Sequence, residues 1–328
     1  MLKDVLPVGE TRYYSLARWA LVDALRACGV GRGDRVLVPG LICREVLASI
    51  NLLGATVAFY PVSPRLDAGF VARDLVDARA VLAVNYFGFP QDLEIFREYC
   101  SRTGAALIED NAHGLLSRDE SGQLLGSRGD AGLFSVRKTI AVPDGAALVL
   151  KNGVLPQAPP ATEAAGIPSR YRLKQAFRRV ARVLGPVQTH SAIGVVREIR
   201  RGCTGHAVPV GASDAETRIP VGPGPSRLLS NRLTMADPAL EAQRRRALYE
   251  LAGRVVDTSV AVPVFSSLPP NVVPYGFPIS VSPENVSAIA VQAGCAGFQL
   301  APWPDLPAAV VHEAPEHYRR LMVLPFLW

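Results

Sequence analysis

Two periods of hydrophobic spacing alternate along the N-terminal part of the chain. Apolar side chains recur at the helical interval in the segments 16–28, 44–53 and 93–103. Between and after them lie short apolar runs, which predict strands at 35–39, 56–61, 80–85, 105–109 and 129–135. Several of these runs are apolar throughout, as is typical of strands that are buried on both faces. The pattern predicts an α/β fold with a mainly parallel sheet covered by helices.

The remainder of the chain is patterned differently. Residues 151–168 are rich in Pro and Ala, and 208–225, rich in Pro, Gly and Ser, is interpreted as a hinge. After the hinge, the predicted elements are a long helix at 238–255, strands at 276–281 and 309–312, and a helix at 283–293. We therefore predict a large α/β domain over residues 1–215 and a small α+β domain over residues 216–328.

A basic amphipathic helix is predicted at 170–184. Leu173, Phe177, Val180 and Leu184 share one face, and arginines and lysines fill the others. The first interpretation is a helix packed on the large domain with its charged face in solvent. Binding of an anionic substrate such as a nucleotide diphosphate, or contact with a membrane surface, are the alternatives.

Composition narrows the class of protein. The 328 residues are 49% hydrophobic and 20% charged, which suits a globular chain with a large core. No apolar run approaches the roughly 18–20 residues that span a bilayer, and no signal peptide is apparent, so we expect a cytoplasmic protein. The net charge of +6 is concentrated at 170–201 without a nucleic-acid motif, so no nucleic-acid partner is predicted.

The five cysteines are scattered and form no Cys-x-x-Cys pair, which favours reduced thiols over disulfides. Cys203 and His206 have a spacing that a metal could use, but no second pair of ligands accompanies them. No metal site is predicted.

Candidate chemistry lies at the ends of the predicted strands. Asn85, Asp110 and Ser135 each stand at or just after a strand end, and Lys138 follows three residues after Ser135. In parallel sheets, ligands bind at the carboxyl ends of the strands. An amine, a carboxylate and a hydroxyl are what pyridoxal 5'-phosphate (PLP) needs, for its aldehyde, its ring nitrogen and its phosphate respectively.

The motifs themselves resemble those of the DegT-type sugar aminotransferases, a branch of the fold-type I PLP enzymes. The matching segments are Glu109-Asp110-Asn111-Ala112-His113, then Gly129-Asp130 with Phe134-Ser135, then Lys138, and Gly145 seven residues after the lysine. The resemblance runs from residue 15 to about 150 and resumes weakly from about 226. The segment from serine to lysine is two residues shorter than the family's usual pattern, so the loop there must be tighter.

This resemblance implies roles for individual residues. Lys138 forms the Schiff base with PLP, and Asp110 accepts a hydrogen bond from the ring nitrogen, although an aspartate there could merely cap the following turn. His113 lies near the ring or, alternatively, is a buried structural histidine. Ser135 binds the phosphate.

The chain departs from the family pattern at three places, and one further residue is expected to contact the neighbouring subunit. Ala17 and Arg18 stand where the family usually has Gly-Thr, whose amides hold the phosphate, and Arg18 could replace that contact with a charge or point to solvent. Cys43 stands where an aromatic ring commonly stacks on PLP, and Ala146 stands where a second glycine is usual. The resemblance also implies a phosphate contact from the neighbouring subunit of a homodimer, for which Asn231 is the candidate.

The function implied is a PLP-dependent aminotransferase that moves an amino group from an amino acid, glutamate or glutamine, to a keto-sugar or related keto compound, including nucleotide-linked sugars. A PLP-dependent lyase or dehydratase on the same fold is one alternative, although sugar dehydratases of this family carry histidine in place of the lysine. A PLP-fold scaffold without activity is the other.

Overall fold

The computed structural model describes residues 5–6, 11–142, 144–151, 156–161 and 213–326. The predicted basic helix at 170–184, the pair Cys203 and His206, and the first residues of the predicted hinge lie outside this part of the chain. In the part that is described, no helix combines the length and hydropathy needed to cross a membrane.

A seven-stranded sheet forms the larger layer. Its strands are β1 (Thr11–Tyr14), β2 (Arg35–Pro39), β3 (Thr56–Tyr60), β4 (Ala80–Val84), β5 (Ala106–Asp110), β6 (Ala131–Phe134) and β7 (Ala146–Leu150). The order across the sheet is β1-β7-β6-β5-β4-β2-β3. Five adjacent strands, β6, β5, β4, β2 and β3, run parallel to one another. Strand β7 is antiparallel to both of its neighbours, β1 and β6. The predicted α/β fold with a mainly parallel sheet is confirmed.

Helices lie between the strands along the chain and after them. They are α1 (Ala17–Ala27), α2 (Leu47–Asn51), α3 (Glu94–Thr103), α4 (Val136–Thr139), α5 (Arg227–Met235), α6 (Pro238–Val255), α7 (Val286–Cys295), α8 (Ala308–Val311) and α9 (Glu316–Arg319). The helix predicted at 44–53 is shorter than expected, because its first turn, Arg44–Val46, is a 3-10 helix. Helix α6 has the predicted bounds, since the Asp237 side chain accepts from the Leu240 N–H at 3.1 Å and Pro238 occupies the first turn.

A second, antiparallel sheet lies in the C-terminal part. Its strands are β8 (Ala261–Pro263), β9 (Gly276–Val281), β10 (Ala301–Pro302) and β11 (Leu321–Pro325), in the order β10-β11-β9-β8. One hydrophobic core includes residues of both sheets, such as Leu37 of β2 and Leu324 of β11. The division into domains at 215/216 therefore stays a prediction.

The strand predicted at 309–312 is wrong, because residues 309–311 belong to helix α8 and His312 is the residue that follows its last turn. The N–H groups of Val310 and Val311 both donate to the carbonyl oxygen of Pro307, at 2.9 and 3.0 Å. Proline fixes its own φ at a value suited to starting a helix, whereas four apolar residues are too few for their periodicity to distinguish helix from strand.

A buried ion pair anchors the end of β5. Glu109 is fully buried, and its carboxylate accepts from Arg128 Nη2 at 2.8 Å and Arg128 Nε at 3.0 Å. It also accepts from the backbone N–H groups of Gly126, Arg128 and Gly129 and from Asn85 Nδ2. Such a carboxylate is stable in the core only while these donors remain.

We predict that Arg128→Met lowers the free energy of unfolding by about 3–5 kcal/mol, because it leaves Glu109 charged without its cation while keeping most of the side-chain volume. Chemical denaturation measures this. Arg73→Met is the control, since its pair with Asp74 is 82% and 66% exposed and is worth less than about 1 kcal/mol. Equal effects of the two substitutions would contradict the prediction.

Candidate active site

A cavity of about 300 Å³ opens beside the ends of strands β5 and β6. The residues proposed from the sequence that line it are Ala17, Arg18, Cys43, Asn85, Asp110, His113, Ser135 and Lys138. Asn231 falls within helix α5, but its side chain lies outside the described part of the structure. The fold therefore brings eight of the nine proposed residues to one cavity.

Lys138 lies on the short helix α4, which begins immediately after Ser135 at the end of β6. Its Nζ is 3.1 Å from His113 Nε2 and 5.7 Å from the centre of the Tyr275 ring. Burial lowers the pKa of Lys138, and Cys43 and Asp110 oppose that shift. The amine is therefore more readily uncharged, and so more nucleophilic, than a lysine in solvent.

Gly145 allows this tight connection to close. Its carbonyl oxygen accepts from the Arg137 N–H at 3.2 Å, and its φ is +132°. A Cβ at this position would lie 2.6 Å from Leu229 Cδ1. The backbone conformation therefore favours glycine at the position seven residues after the lysine, and a Cβ there would also displace the Leu229 side chain of α5.

His113 is held in one orientation by the backbone. The N–H of Phe87 donates to His113 Nδ1 at 3.3 Å, and Phe87 takes a left-handed conformation, with φ 54°, to do so. The ring stacks on Tyr275 at 4.2 Å between centres. Burial, with smaller contributions from the charges of Lys138 and Arg245, lowers the pKa of His113 well below its ordinary value, so the ring is neutral. With Nδ1 accepting, the proton is on Nε2, which can donate to Lys138 only when that amine is uncharged.

Asp110 points into the cavity from the last position of β5. One oxygen accepts from the Ala112 N–H at 3.0 Å, the turn contact that was the alternative role for this residue. The other oxygen accepts no hydrogen bond from any residue that the structure describes. Burial raises the pKa of Asp110, while the charge of Lys138 and the Ala112 N–H act in the opposite direction. A cationic donor at the free oxygen would stabilise the carboxylate.

The opposite part of the cavity is suited to an anion. Helix α1 begins there without a side-chain cap and without an acidic residue in its first turn, so its positive end faces the cavity. The Ser135 hydroxyl does not cap α4 and is available. Arg18 and Arg137 also line the cavity, and burial lowers the pKa of Arg18. A phosphate would meet amide, hydroxyl and guanidinium donors.

Two of the proposed residues, Asn85 and Cys43, line the cavity but have little capacity to bind a ligand. The amide of Asn85 is already used, because Nδ2 donates to Glu109 at 3.2 Å and Oδ1 accepts from the Gln91 N–H at 2.9 Å and from Arg128 at 3.0 Å. Burial raises the pKa of Cys43 to about 12, so this residue offers a protonated thiol and no stacking ring. Asn85 therefore forms part of the cavity wall, with its amide bonded to neighbouring protein groups.

Sequence reasoning missed two aromatic residues of the cavity. Tyr275 directly precedes the predicted strand at 276–281, and Trp303 lies just after β10, far along the chain from Lys138. The Trp303 ring is 5.5 Å from the ring of His113 and 4.8 Å from that of Phe87. No periodic pattern marks Trp303, and the only cue for Tyr275 was its position at the start of a strand.

The residues present fit PLP. Around one cavity, at the carboxyl ends of parallel strands, lie an amine with a lowered pKa, a half-buried carboxylate with one oxygen that accepts no hydrogen bond from the described residues, and an uncapped helix N-terminus. Together with the strand order, this defines a fold-type I PLP-dependent transferase fold. The model of the DegT/DnrJ/EryC1/StrS aminotransferase family matches residues 16–185, and the chain belongs to this family.

Related proteins agree with this assignment. The chain is 34% identical over 144 residues to the L-glutamine:2-deoxy-scyllo-inosose aminotransferase of Streptoalloteichus tenebrarius, covering 42% of this chain and 33% of that protein. It is 35% identical over 138 residues to the L-glutamine:scyllo-inosose aminotransferase of Streptomyces griseus, covering 40% of this chain and 32% of that protein. The aligned region thus spans about a third of these curated relatives.

Solved structures share the fold over nearly the whole chain. A DegT DnrJ EryC1 StrS aminotransferase from Brucella abortus superposes with a TM-score of 0.66 at 17% identity, covering 99% of this chain and 82% of that one. The aminotransferase PseC of Helicobacter pylori gives a TM-score of 0.66 at 14% identity, covering 99% of this chain and 83% of that one. At these identities the likeness shows the fold.

We predict that Lys138 reacts with amine reagents at lower pH than an ordinary lysine. A lowered pKa leaves the amine uncharged at pH values where a solvated lysine, with a pKa of about 10.4, is still protonated. Competitive acetylation of the PLP-free protein across a pH series, read by peptide mass spectrometry, gives the midpoint. The denatured protein is the control, and an identical midpoint in the native and denatured states would contradict the prediction.

Proposed function

We propose that the protein is a PLP-dependent aminotransferase, with glutamine as amino donor and a cyclic keto compound, a keto-sugar or keto-cyclitol, as acceptor. The observation that carries the proposal is that Lys138, whose pKa is lowered by burial, lines the same cavity as the Asp110 carboxylate. Family membership supports the reaction class. The names of the relatives, both glutamine-dependent enzymes acting on inososes, support the donor and the cyclic acceptor.

Three groups would hold the cofactor. Lys138 would attach its aldehyde, Asp110 would hold a proton on its ring nitrogen, and the N-terminus of α1 with Ser135 and Arg18 would bind its phosphate. When bound, PLP supplies an electron sink beside the carbon that carries the amino group. Asp110 maintains that sink because its negative charge favours the protonated ring.

The proton transfer falls to Lys138. With PLP bound, the Lys138 Nζ would be the base that takes the proton from the carbon that carries the donor nitrogen. His113 holds Nζ in reach through the 3.1 Å contact, and its fixed tautomer keeps a donor, not a competing base, directed at Nζ. Lys138 is thus the base, and His113 orients it.

Aromatic side chains shape the space where the substrate would react. Tyr275 and Trp303 line the cavity beside His113, and Tyr275 is buried. Apolar ring faces exclude water from the reacting carbon, which protects a carbanion-like centre from unwanted protonation. Flat faces also suit the C–H surface of a cyclic substrate.

We predict that the protein reconstituted with PLP has a visible absorption band and retains one PLP on Lys138 after borohydride reduction, located by peptide mass spectrometry. Lys138→Ala and Lys138→Arg should retain none, since neither offers a primary amine to the aldehyde. Glutamine should bleach the band of the wild-type protein, and a keto-cyclitol or keto-sugar should restore it.

Asp110→Asn is the matched control within the same experiment. It keeps Lys138, so PLP should still be trapped, but bleaching by glutamine should slow by about 100-fold or more because a neutral amide cannot stabilise the protonated ring. Two results would overturn the proposal: PLP trapped on another lysine, or a band unchanged by every amino acid while a substrate releases ammonia or water. The second result would favour the lyase alternative.

The proposal includes a homodimer in which Asn231 completes the phosphate site of the neighbouring subunit, as the family resemblance implies. If so, a mixture of Lys138→Ala and Asn231→Ala subunits, each inactive alone, should regain activity, because one site of the hybrid dimer contains both intact residues. Sedimentation measures whether the subunits form dimers. If Asn231 acts within its own subunit, the mixture will stay inactive.

A further inference from the structure

Three consecutive arginines of helix α6, Arg244–Arg246, direct their guanidinium groups at backbone carbonyl oxygens. Arg244 donates to the carbonyl oxygen of Phe326 at 2.6 Å, and Arg246 donates to that of Val272 at 2.7 Å. Arg245 donates to the carbonyl oxygen of Lys138, also at 2.6 Å, across 107 positions of the sequence. Only the middle arginine reaches the proposed cofactor lysine.

Arg245 is among the most buried side chains of the described structure, with 1% exposed. Arginine is almost never fully buried unless it is paired, and here Glu241 supplies the partner, accepting from Nε at 2.8 Å. Arg244 shares that partner and is 5% exposed. The two arginines thus have the same helix, the same carboxylate and nearly the same burial, and differ in the segment each one holds.

The planar guanidinium of Arg245 joins two segments that border the cavity. One terminal nitrogen, Nη2, donates to the carbonyl oxygens of Lys138 and Thr139, at 2.6 and 3.3 Å. The other, Nη1, donates to the carbonyl oxygens of Pro274 and Tyr275, at 3.1 and 3.3 Å. Because the fork is rigid, it fixes the backbone of Lys138 relative to that of Tyr275.

This bridge has a consequence for the reactive amine. The Tyr275 N–H donates to the carbonyl oxygen of Phe87 at 2.8 Å, and the Phe87 N–H donates to His113, whose Nε2 contacts Lys138. The contacts form a closed ring from Arg245 through Tyr275, Phe87 and His113 back to Lys138. Opening the ring at Arg245 would free the lysine segment on one side and the Tyr275 segment on the other.

From these contacts we infer that Arg245 is a positioning residue, which holds the backbone of Lys138 so that Nζ stays buried against His113 and Tyr275. The inference rests on the proposed function in that Lys138 is taken as the cofactor lysine. Arg245 itself is not among the residues that line the cavity. Its effect on the reaction passes through the place and solvation of Nζ.

The test compares Arg245→Lys with Arg244→Lys. A lysine keeps the positive charge near Glu241 but cannot hold both segments, because it lacks the planar fork. In Arg245→Lys, the rate of PLP attachment, followed by the visible band, should fall by about 10- to 100-fold, the scale expected when a reacting group is displaced by about 1 Å. In Arg244→Lys, the rate should stay within about twofold of the wild-type rate, well below that scale.

A second readout separates positioning from a general loss of stability. In the PLP-free protein, the acetylation midpoint of Lys138 should rise toward the value of a solvated lysine in Arg245→Lys, because Nζ is no longer held in the buried position. It should stay unchanged in Arg244→Lys. Arg245→Gln serves as a second variant should Arg245→Lys fail to fold, since its amide can also reach only one segment.

The outcomes are distinguishable. Equal attachment rates and equal midpoints in the Arg244 and Arg245 variants would overturn the positioning role. Failure of the wild-type protein to attach PLP at Lys138 would overturn the proposed function instead, and the acetylation midpoints would still decide whether Arg245 holds Lys138.

Discussion

Adjacent carboxylates at the end of strand β5 point to opposite sides of the sheet, since successive side chains of a strand alternate. Glu109 points into the protein and is neutralised by Arg128 and by surrounding N–H donors. Asp110 points into the cavity, and one of its oxygens accepts no hydrogen bond from the residues that the structure describes. The site depends on this division, because two unpaired acids side by side could not both remain charged in a buried place. Glu109 therefore fixes the sheet end from which Asp110 acts.

The C-terminal half of the chain completes the cavity that the large sheet begins. Tyr275 and Trp303 provide aromatic walls, and Arg245 holds the lysine segment from behind. Tyr275 and Trp303 lie in loops, and Arg245 lies on helix α6. Chemistry and positioning are thus divided between the two parts of the chain: the N-terminal strands present the reactive groups, and the C-terminal elements determine where those groups can move and what surrounds them.

Much of the large sheet could be predicted because several of its strands are apolar throughout and the helices between them are clearly periodic. The strand at 309–312 was wrong and strand β11 was missed, since in short apolar segments local sequence favours helix and strand almost equally and the neighbouring elements decide. The edge strand β1, with the sequence Thr-Arg-Tyr-Tyr, has no apolar run to mark it and gains its identity by pairing with β7. Asn85 was a candidate site residue because of its position at a strand end, and its hydrogen bonds within the Glu109 network became visible only in the structure.

The sequence by itself determined the kinds of reactive group and their places at strand ends. Asp110, Ser135 and Lys138 follow strands that periodicity identifies, and parallel strands bring their carboxyl ends together. Tertiary structure alone decided the partners of Lys138: His113, Tyr275 and, through its carbonyl oxygen, Arg245. The physical reason is distance along the chain. The contact between Arg245 and Lys138 spans 107 positions, and no local pattern encodes a pairing that forms only when two distant segments pack into one core.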